Sequence, residues 1–211
     1  MSKAEYYFST SLNPAQLPNG SLPQRKQVHG VDIVEVTHAG QECGEVDGLW
    51  TRTPGQPIAI TTADCVPIVL INETRGAVAV LHAGWRGTFK KIVHAFFAAI
   101  PREFAVASEW KAVLGPSIRT CCYEVSPELI AQFKAEFSEL DHVVVEPSYR
   151  KLDLNAVNIA QLTTVGILPE NITVHPDCTF CNKDESSAFK YFSYRRGDRM
   201  SRQLTVVKII S

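Results

Sequence analysis

Two near-adjacent segments hold the residue types most able to do chemistry: TTADC, ending at Cys65, and HAGWRG, beginning at His82. A third, QVHG, brings His29 from upstream. Each reactive residue stands at or beside the end of an apolar, strand-like run, next to small or turn-forming neighbours. Two chemistries suit such a set. In the first, two histidines and a cysteine supply three ligands for zinc and leave a fourth position open, as in a catalytic site. In the second, Cys65 is a nucleophile and His82 its base. Separations of 36 and 17 residues form no local metal motif. A buried free cysteine packed as a small apolar group, with two surface histidines, is therefore a third reading.

Other segments add binding chemistry. Gly84, Trp85, Arg86 and Gly87 lie between a strand and a helix, where backbone amides and Arg86 suit an anion, although the glycines equally suit a tight turn. In Phe192-Ser-Tyr-Arg-Arg196, Arg195 and Arg196 suit phosphate or carboxylate and Tyr194 could stack on a base, the alternative being a solvated basic turn. Cys178-Thr-Phe-Cys181 and Cys121-Cys122 make four cysteines that could form a structural zinc site. Vicinal cysteines chelate one metal poorly, and a thioredoxin-like CxxC needs to open a helix, so unligated thiols are favoured there.

These residues need elements to position them. Val31–Val36 alternates like a half-buried strand, and Ile58–Thr62, Val66–Ile71 and Ala77–Leu81 read as buried strands. Ala63-Asp64-Cys65 is a break or bulge between two of them. Phe89, Ile92, Val93, Phe96 and Phe97 form a helical stripe over Thr88–Ile100, with Thr88 as a cap. Ser126-Pro127 starts another helix, and Leu154–Val165 a third, capped by Asp153. Tyr6–Ser9, Lys111–Leu114, His142–Val145, Ile172–His175 and Leu204–Ile210 read as strands. Strands and helices mix without strict alternation, which favours an α+β fold with mixed or antiparallel sheets. No linker divides the chain, so residues 1–211 read as one domain with a short, irregular segment at 1–26.

Bulk properties narrow the classes. The 211 residues are 45% hydrophobic and 20% charged, ordinary for a soluble globular protein. A net charge of −1 and the lack of a long Lys/Arg run argue against sequence-independent nucleic-acid binding. The N-terminal stretch has no apolar signal-peptide core, and Pro67, Asn72 and Gly76 break the longest apolar stretches, so no membrane span is expected. A cytoplasmic location with the six cysteines reduced is the default.

Taken together, QVHG, DGLWT, TTADCVPIVL, AVLHAGWRGT, GPSIRTCCYEV, DLN, CT and FSYRR closely resemble the laccase-domain, or multicopper polyphenol oxidase-like, family. That family is also described as zinc-dependent purine nucleoside phosphorylases and as peptidoglycan editing factors. The resemblance runs from about Gln27 to the C-terminus. It implies zinc ligands at His29, Cys65 and His82, one zinc per chain, and an α/β/β/α layered fold. It also implies phosphorolysis of adenosine, inosine, guanosine and methylthioadenosine, with adenosine deamination, so the partners are purine nucleosides and phosphate. For deamination, Asp64 or Glu124 could shuttle protons; for phosphorolysis, Arg86, Arg195 or Arg196 could hold the anion. The alternatives are an editing amidase acting on cell-wall precursors and a cysteine hydrolase using Cys65 and His82. Copper oxidation is rejected, because His38, His94, His142 and His175 scatter with no His-x-His pair to build a trinuclear cluster. Two departures stand out: the family's longer N-terminal region before QVHG is mostly missing, and its Gly-Arg after FSYRR is Ser201-Arg202 here. Cys181 lies outside the family pattern.

Overall fold

The computed structural model describes residues 3–11 and 20–210. Its strands are β1 (Lys3–Phe8), β2 (Gln24–Lys26), β3 (Ile33–Glu35), β4 (Glu42–Glu45), β5 (Gly48–Thr51), β6 (Ile58–Thr62), β7 (Val66–Asn72), β8 (Ala77–Ala83), β9 (Lys111–Leu114), β10 (Ile172–Val174) and β11 (Gln203–Ile210). The α-helices are α1 (Trp85–Phe89), α2 (Ile92–Ala99), α3 (Pro127–Glu136), α4 (His142–Val145) and α5 (Leu154–Thr164).

Every residue of strands β7 and β8 is buried. The reason is visible in the period-two alternation: Val66, Ile68 and Leu70 pack into the core shared with the helices, while Val69 and Ile71 pack into a second core. These strands lie in a six-stranded sheet ordered β10-β9-β7-β8-β5-β3, in which β3–β5 and β9–β10 are parallel and the other pairs antiparallel. The second core takes Ile58 and Ile60 of β6 and Val207 and Ile209 of β11, which belong to a three-stranded antiparallel sheet ordered β1-β11-β6. A parallel pair, β2–β4, completes the strands. Helices, large sheet and small sheet thus stack as layers of one α+β domain.

The chain leaves one sheet for the other between β6 and β7. That crossing is Ala63-Asp64-Cys65, which makes the expected break the joint between layers.

Three local expectations change. Residues 1–26 are less irregular than their composition suggests, since β1 pairs along its whole length with β11 and β2 pairs with β4; residues 12–19 lie outside those described. The helix expected over 88–100 starts earlier, at Trp85, and breaks at Lys91, whose φ is 60°. Thr88 is no cap: it is fully buried, its carbonyl accepts from Gln161 Nε2 at 2.9 Å, and its hydroxyl accepts from Asn158 Nδ2 at 2.9 Å. Those α5 side chains compete with helical continuation of the backbone. His142–Val145 is a helical turn rather than a strand. Three consecutive valines favour strand by propensity, but Asp141 caps the turn by accepting from Val143 N at 3.1 Å, and Val145 inserts into the core.

Candidate active site and metal centre

The hairpin register pairs Pro67 with His82 and Val66 with Ala83, so Cys65, just ahead of β7, faces the end of β8. β5 lies on the other side of β8, with Gly48 opposite Leu81, and this brings Asp47 beside His82. The His82 amide donates to the Asp47 carbonyl at 2.7 Å. His82 Nδ1 lies 2.6 Å from Asp47 Oδ1, leaving Nε2 as the nitrogen available to a ligand.

Asp47 is fully buried, and it organises the third corner as well. Its carboxylate accepts the backbone amides of Val28 (3.0 Å), His29 (3.0 Å) and Gly30 (2.7 Å). These bonds curl the QVHG segment, hold His29 at a left-handed φ of 59°, and set its ring edge-on to that of His82 at 4.7 Å. A carboxylate buried without such partners would cost several kcal/mol. Asp47 opens the DGLWT segment, and its role was missed in the sequence because an Asp before Gly reads as an ordinary turn.

His29, Cys65 and His82 thus converge, each offering a ligand atom within 4.8 Å of the others. Burial pushes the Cys65 thiol up, but the charge of His82 and hydrogen bonds from both histidines outweigh it and draw the pKa to about 6. His82 moves oppositely: burial lowers its pKa, while Cys65 and Asp47 raise it to about 9. The backbone makes room for the thiol at Gly84, where an added Cβ would lie 2.8 Å from Cys65 Sγ and 3.2 Å from His29 Cδ2. A soft thiolate, two imidazoles and a carboxylate holding one ring from behind fit a zinc ion, and the donor count leaves a position open. None of His38, His94, His142 and His175 joins this cluster.

The trio opens into a cavity of 780 Å³. Asp64, Arg86, Tyr194 and Arg195, all expected from the sequence, line it, as do Arg25, Gln27, Trp85, Tyr123 and Arg202. The Arg86 guanidinium lies over the Trp85 ring at 4.2 Å and makes no hydrogen bond or ion pair among the described residues. Arg195 sits over Tyr123 and donates to the Glu124 carbonyl at 2.8 Å. α1 has only five residues and no acidic side chain, so the anion chemistry here belongs to the arginines.

Three expected residues are placed differently from their assigned chemistry. Both Asp64 oxygens are taken, one by Thr179 Oγ1 (2.7 Å), the other by Ser193 Oγ (3.0 Å) and the Arg195 amide (2.7 Å). Asp64 thereby locks its own strained φ of 91° and ties the sheet crossing to the loops beyond. Glu124 is not a lining residue; its carboxylate turns outward to Arg150 (3.2 Å) and Lys151 (3.7 Å). Arg196 also faces away, donating to the Phe180 carbonyl (2.8 Å) and to Asp198 (2.6 Å). Arg25 carries no signal in the sequence, where it is a single arginine in a polar segment.

This fold and site define a layered α+β protein with a His–Cys–His centre at the floor of an arginine-lined cavity. The chain belongs to the family described as multi-copper polyphenol oxidoreductase laccase, which it matches over residues 9–210. Among its relatives, a protein named adenosine deaminase RL5, from an unknown prokaryotic organism, is 43% identical over 154 residues, 72% of this chain and 57% of that protein. Purine nucleoside phosphorylase YlmD of Geobacillus stearothermophilus is 35% identical over 184 residues, 81% of this chain and 65% of that protein. The chain therefore spans less than two thirds of the length of either. The crystal structure of Bacillus licheniformis hypothetical protein YfiH superimposes with a TM-score of 0.78 at 28% identity, covering 91% of this chain and 75% of that one.

Proposed function

We propose that the chain is a zinc-dependent purine nucleoside phosphorylase, cleaving adenosine, inosine, guanosine and methylthioadenosine with phosphate, with adenosine deaminase activity. The observation carrying this reading is one cavity that joins a three-donor centre to cationic and aromatic side chains. The names of the two relatives, a deaminase and a phosphorylase, support the same substrate class.

His29, Cys65 and His82 would hold the zinc, with Asp47 fixing the His82 ring and the His29 loop. A zinc ion there supplies Lewis acidity. Trp85, Tyr123 and Tyr194 offer flat faces for a purine. Arg86 and Arg195 hold phosphate near the ribose, where its oxygen forms a bond to the anomeric carbon as the bond to the base nitrogen breaks. Their charges offset the phosphate's and fix its orientation. Asp64, saturated by three donors, positions Arg195 through its backbone rather than moving a proton.

The test is an assay of the zinc-loaded protein with inosine and adenosine. Base release that depends on phosphate, and ammonia release from adenosine, are expected. Absence of both from a zinc-replete, folded protein would overturn the reading.

One observation favours a second reading, a cysteine hydrolase or amidase acting on cell-wall precursors. Cys65, His82 and Asp47 form a thiol–imidazole–carboxylate series. That series gives His29 no task, whereas the metal reading uses it. One equivalent of zinc that the wild-type protein binds and Cys65→Ala loses decides for the metal.

A further inference from the structure

Away from the cavity floor, the structure gathers four more cysteines. The sulfurs of Cys121, Cys122, Cys178 and Cys181 all lie within 4.8 Å of one another, and Cys121 Sγ and Cys181 Sγ are 3.9 Å apart. None is in a disulfide. The separation is far above the ~2.05 Å of an S–S bond. It matches the edge of a tetrahedron with ~2.3 Å metal–sulfur bonds, which is about 3.8 Å.

The objection to vicinal cysteines as ligands is answered by the backbone. Cys121 and Cys122 lie in a turn closed by the Cys122 and Tyr123 amides donating to the Arg119 carbonyl at 2.9 and 2.8 Å. In an extended strand neighbouring side chains diverge; this turn makes them converge. The CxxC is equally built. The Cys178 amide donates to Asn182 Oδ1 at 2.9 Å, and the Asn182 amide returns to the Cys178 carbonyl at 3.0 Å. Cys178 Sγ accepts the Arg119 amide at 3.4 Å. Amides aimed at a sulfur stabilise a thiolate, the state that binds metal. Four converging soft sulfurs select zinc over the harder divalent ions.

We propose that Cys121, Cys122, Cys178 and Cys181 hold one zinc ion in a structural tetrathiolate site that fastens the 119–124 turn to the 178–182 loop. The thiols release their protons to solvent on binding, and no oxidant is involved. Both fastened segments serve the cavity: Tyr123 lines it, and Thr179 holds Asp64. The site is independent of the His29–Cys65–His82 reading.

The test uses the full chain, purified reduced and zinc-replete. A His29→Ala/Cys65→Ala variant is expected to keep one zinc per chain. After exchange with cobalt(II), it should show the intense visible bands of a tetrahedral cobalt tetrathiolate. Adding Cys121→Ser and Cys181→Ser, both at exposed positions, should remove that ion and those bands. In wild-type protein, zinc should protect the four thiols from alkylation, and a zinc chelator should expose them. Thiols that alkylate equally fast with and without zinc, iron in place of zinc, or a Cys121–Cys181 disulfide in the reduced preparation would each overturn the proposal.

Discussion

At the scale of single residues, Asp47 controls more of the site than any residue that faces the cavity. It orients one donor ring and shapes the loop of another, so its loss should loosen both. Asp47→Asn keeps the size but puts an N–H group in place of one acceptor oxygen, either the one that takes the Val28 and Gly30 amides or the one that takes the His29 amide and the His82 ring. Zinc affinity of the His29–Cys65–His82 centre is expected to fall about 10–100-fold, read by competition with a calibrated chelator; an unchanged affinity would refute this role. Arg86 makes the opposite case, since its guanidinium makes no hydrogen bond or ion pair among the described residues and loses only its stack on Trp85. Arg86→Ala should leave the melting temperature within a degree or two while raising the phosphate KM about 10–100-fold, the loss of one or two charge-assisted hydrogen bonds at ~1.5–3 kcal/mol. An unaltered phosphate KM would place the anion elsewhere in the cavity. His29, Cys65 and His82 stand out singly as reactive residues at or beside strand ends, but their joining in one centre was implied by the family resemblance, since separations of 36 and 17 residues form no local motif. Glu124 misled because sequence shows a carboxylate but not its direction, and here only its backbone carbonyl serves the site.

At the scale of elements, the buried strands were legible because two-sided burial leaves uninterrupted apolar runs, as in β7 and β8. What sequence left hidden was which sheet each strand joins, since β6 and β7 are neighbours in the chain and belong to different layers. The short helices were obscured for another reason: their limits are set by long-range side chains such as Gln161, and α4 by a single cap. α4 is tied to α3 through Glu146, which accepts Lys134 Nζ at 2.6 Å and the Arg150 amide at 2.6 Å. These partners hold the Glu146 carboxyl below its usual pKa. A lowered carboxyl favours the folded state above its unfolded pKa of about 4.3, and that contribution is lost as pH falls through the folded value. The wild-type protein should therefore exceed Glu146→Gln in stability at pH 7 by up to about 1 kcal/mol, the pair being partly solvent-screened. The gap should close below about pH 4, as followed by urea unfolding at each pH. A gap that persists at acid pH would assign it to packing instead of charge.

At the scale of the whole molecule, the cavity is assembled from segments as distant in the chain as Arg25 and Arg202. No stretch of unfolded chain presents His29, Cys65 and His82 together, because the hairpin register, the β5 pairing and the Asp47 loop must all form first. Metal binding to this centre is then linked to folding: an ion that binds the native state alone stabilises it by RT ln(1 + [L]/Kd), about 4 kcal/mol at a thousandfold excess over Kd. For a chain of this length each kcal/mol moves the melting temperature by roughly 2–4 °C. The Cys121→Ser/Cys181→Ser background isolates the cavity centre from the second cysteine cluster. There, chelation should lower the melting temperature by about 8–16 °C, with zinc restoring it. Adding His29→Ala to that background should abolish the difference between loaded and stripped protein, whatever its effect on the absolute value. If the stripped and loaded forms melt together while His29 is intact, the three donors hold no metal under those conditions, and the thiol–imidazole–carboxylate series becomes the better account of the same atoms.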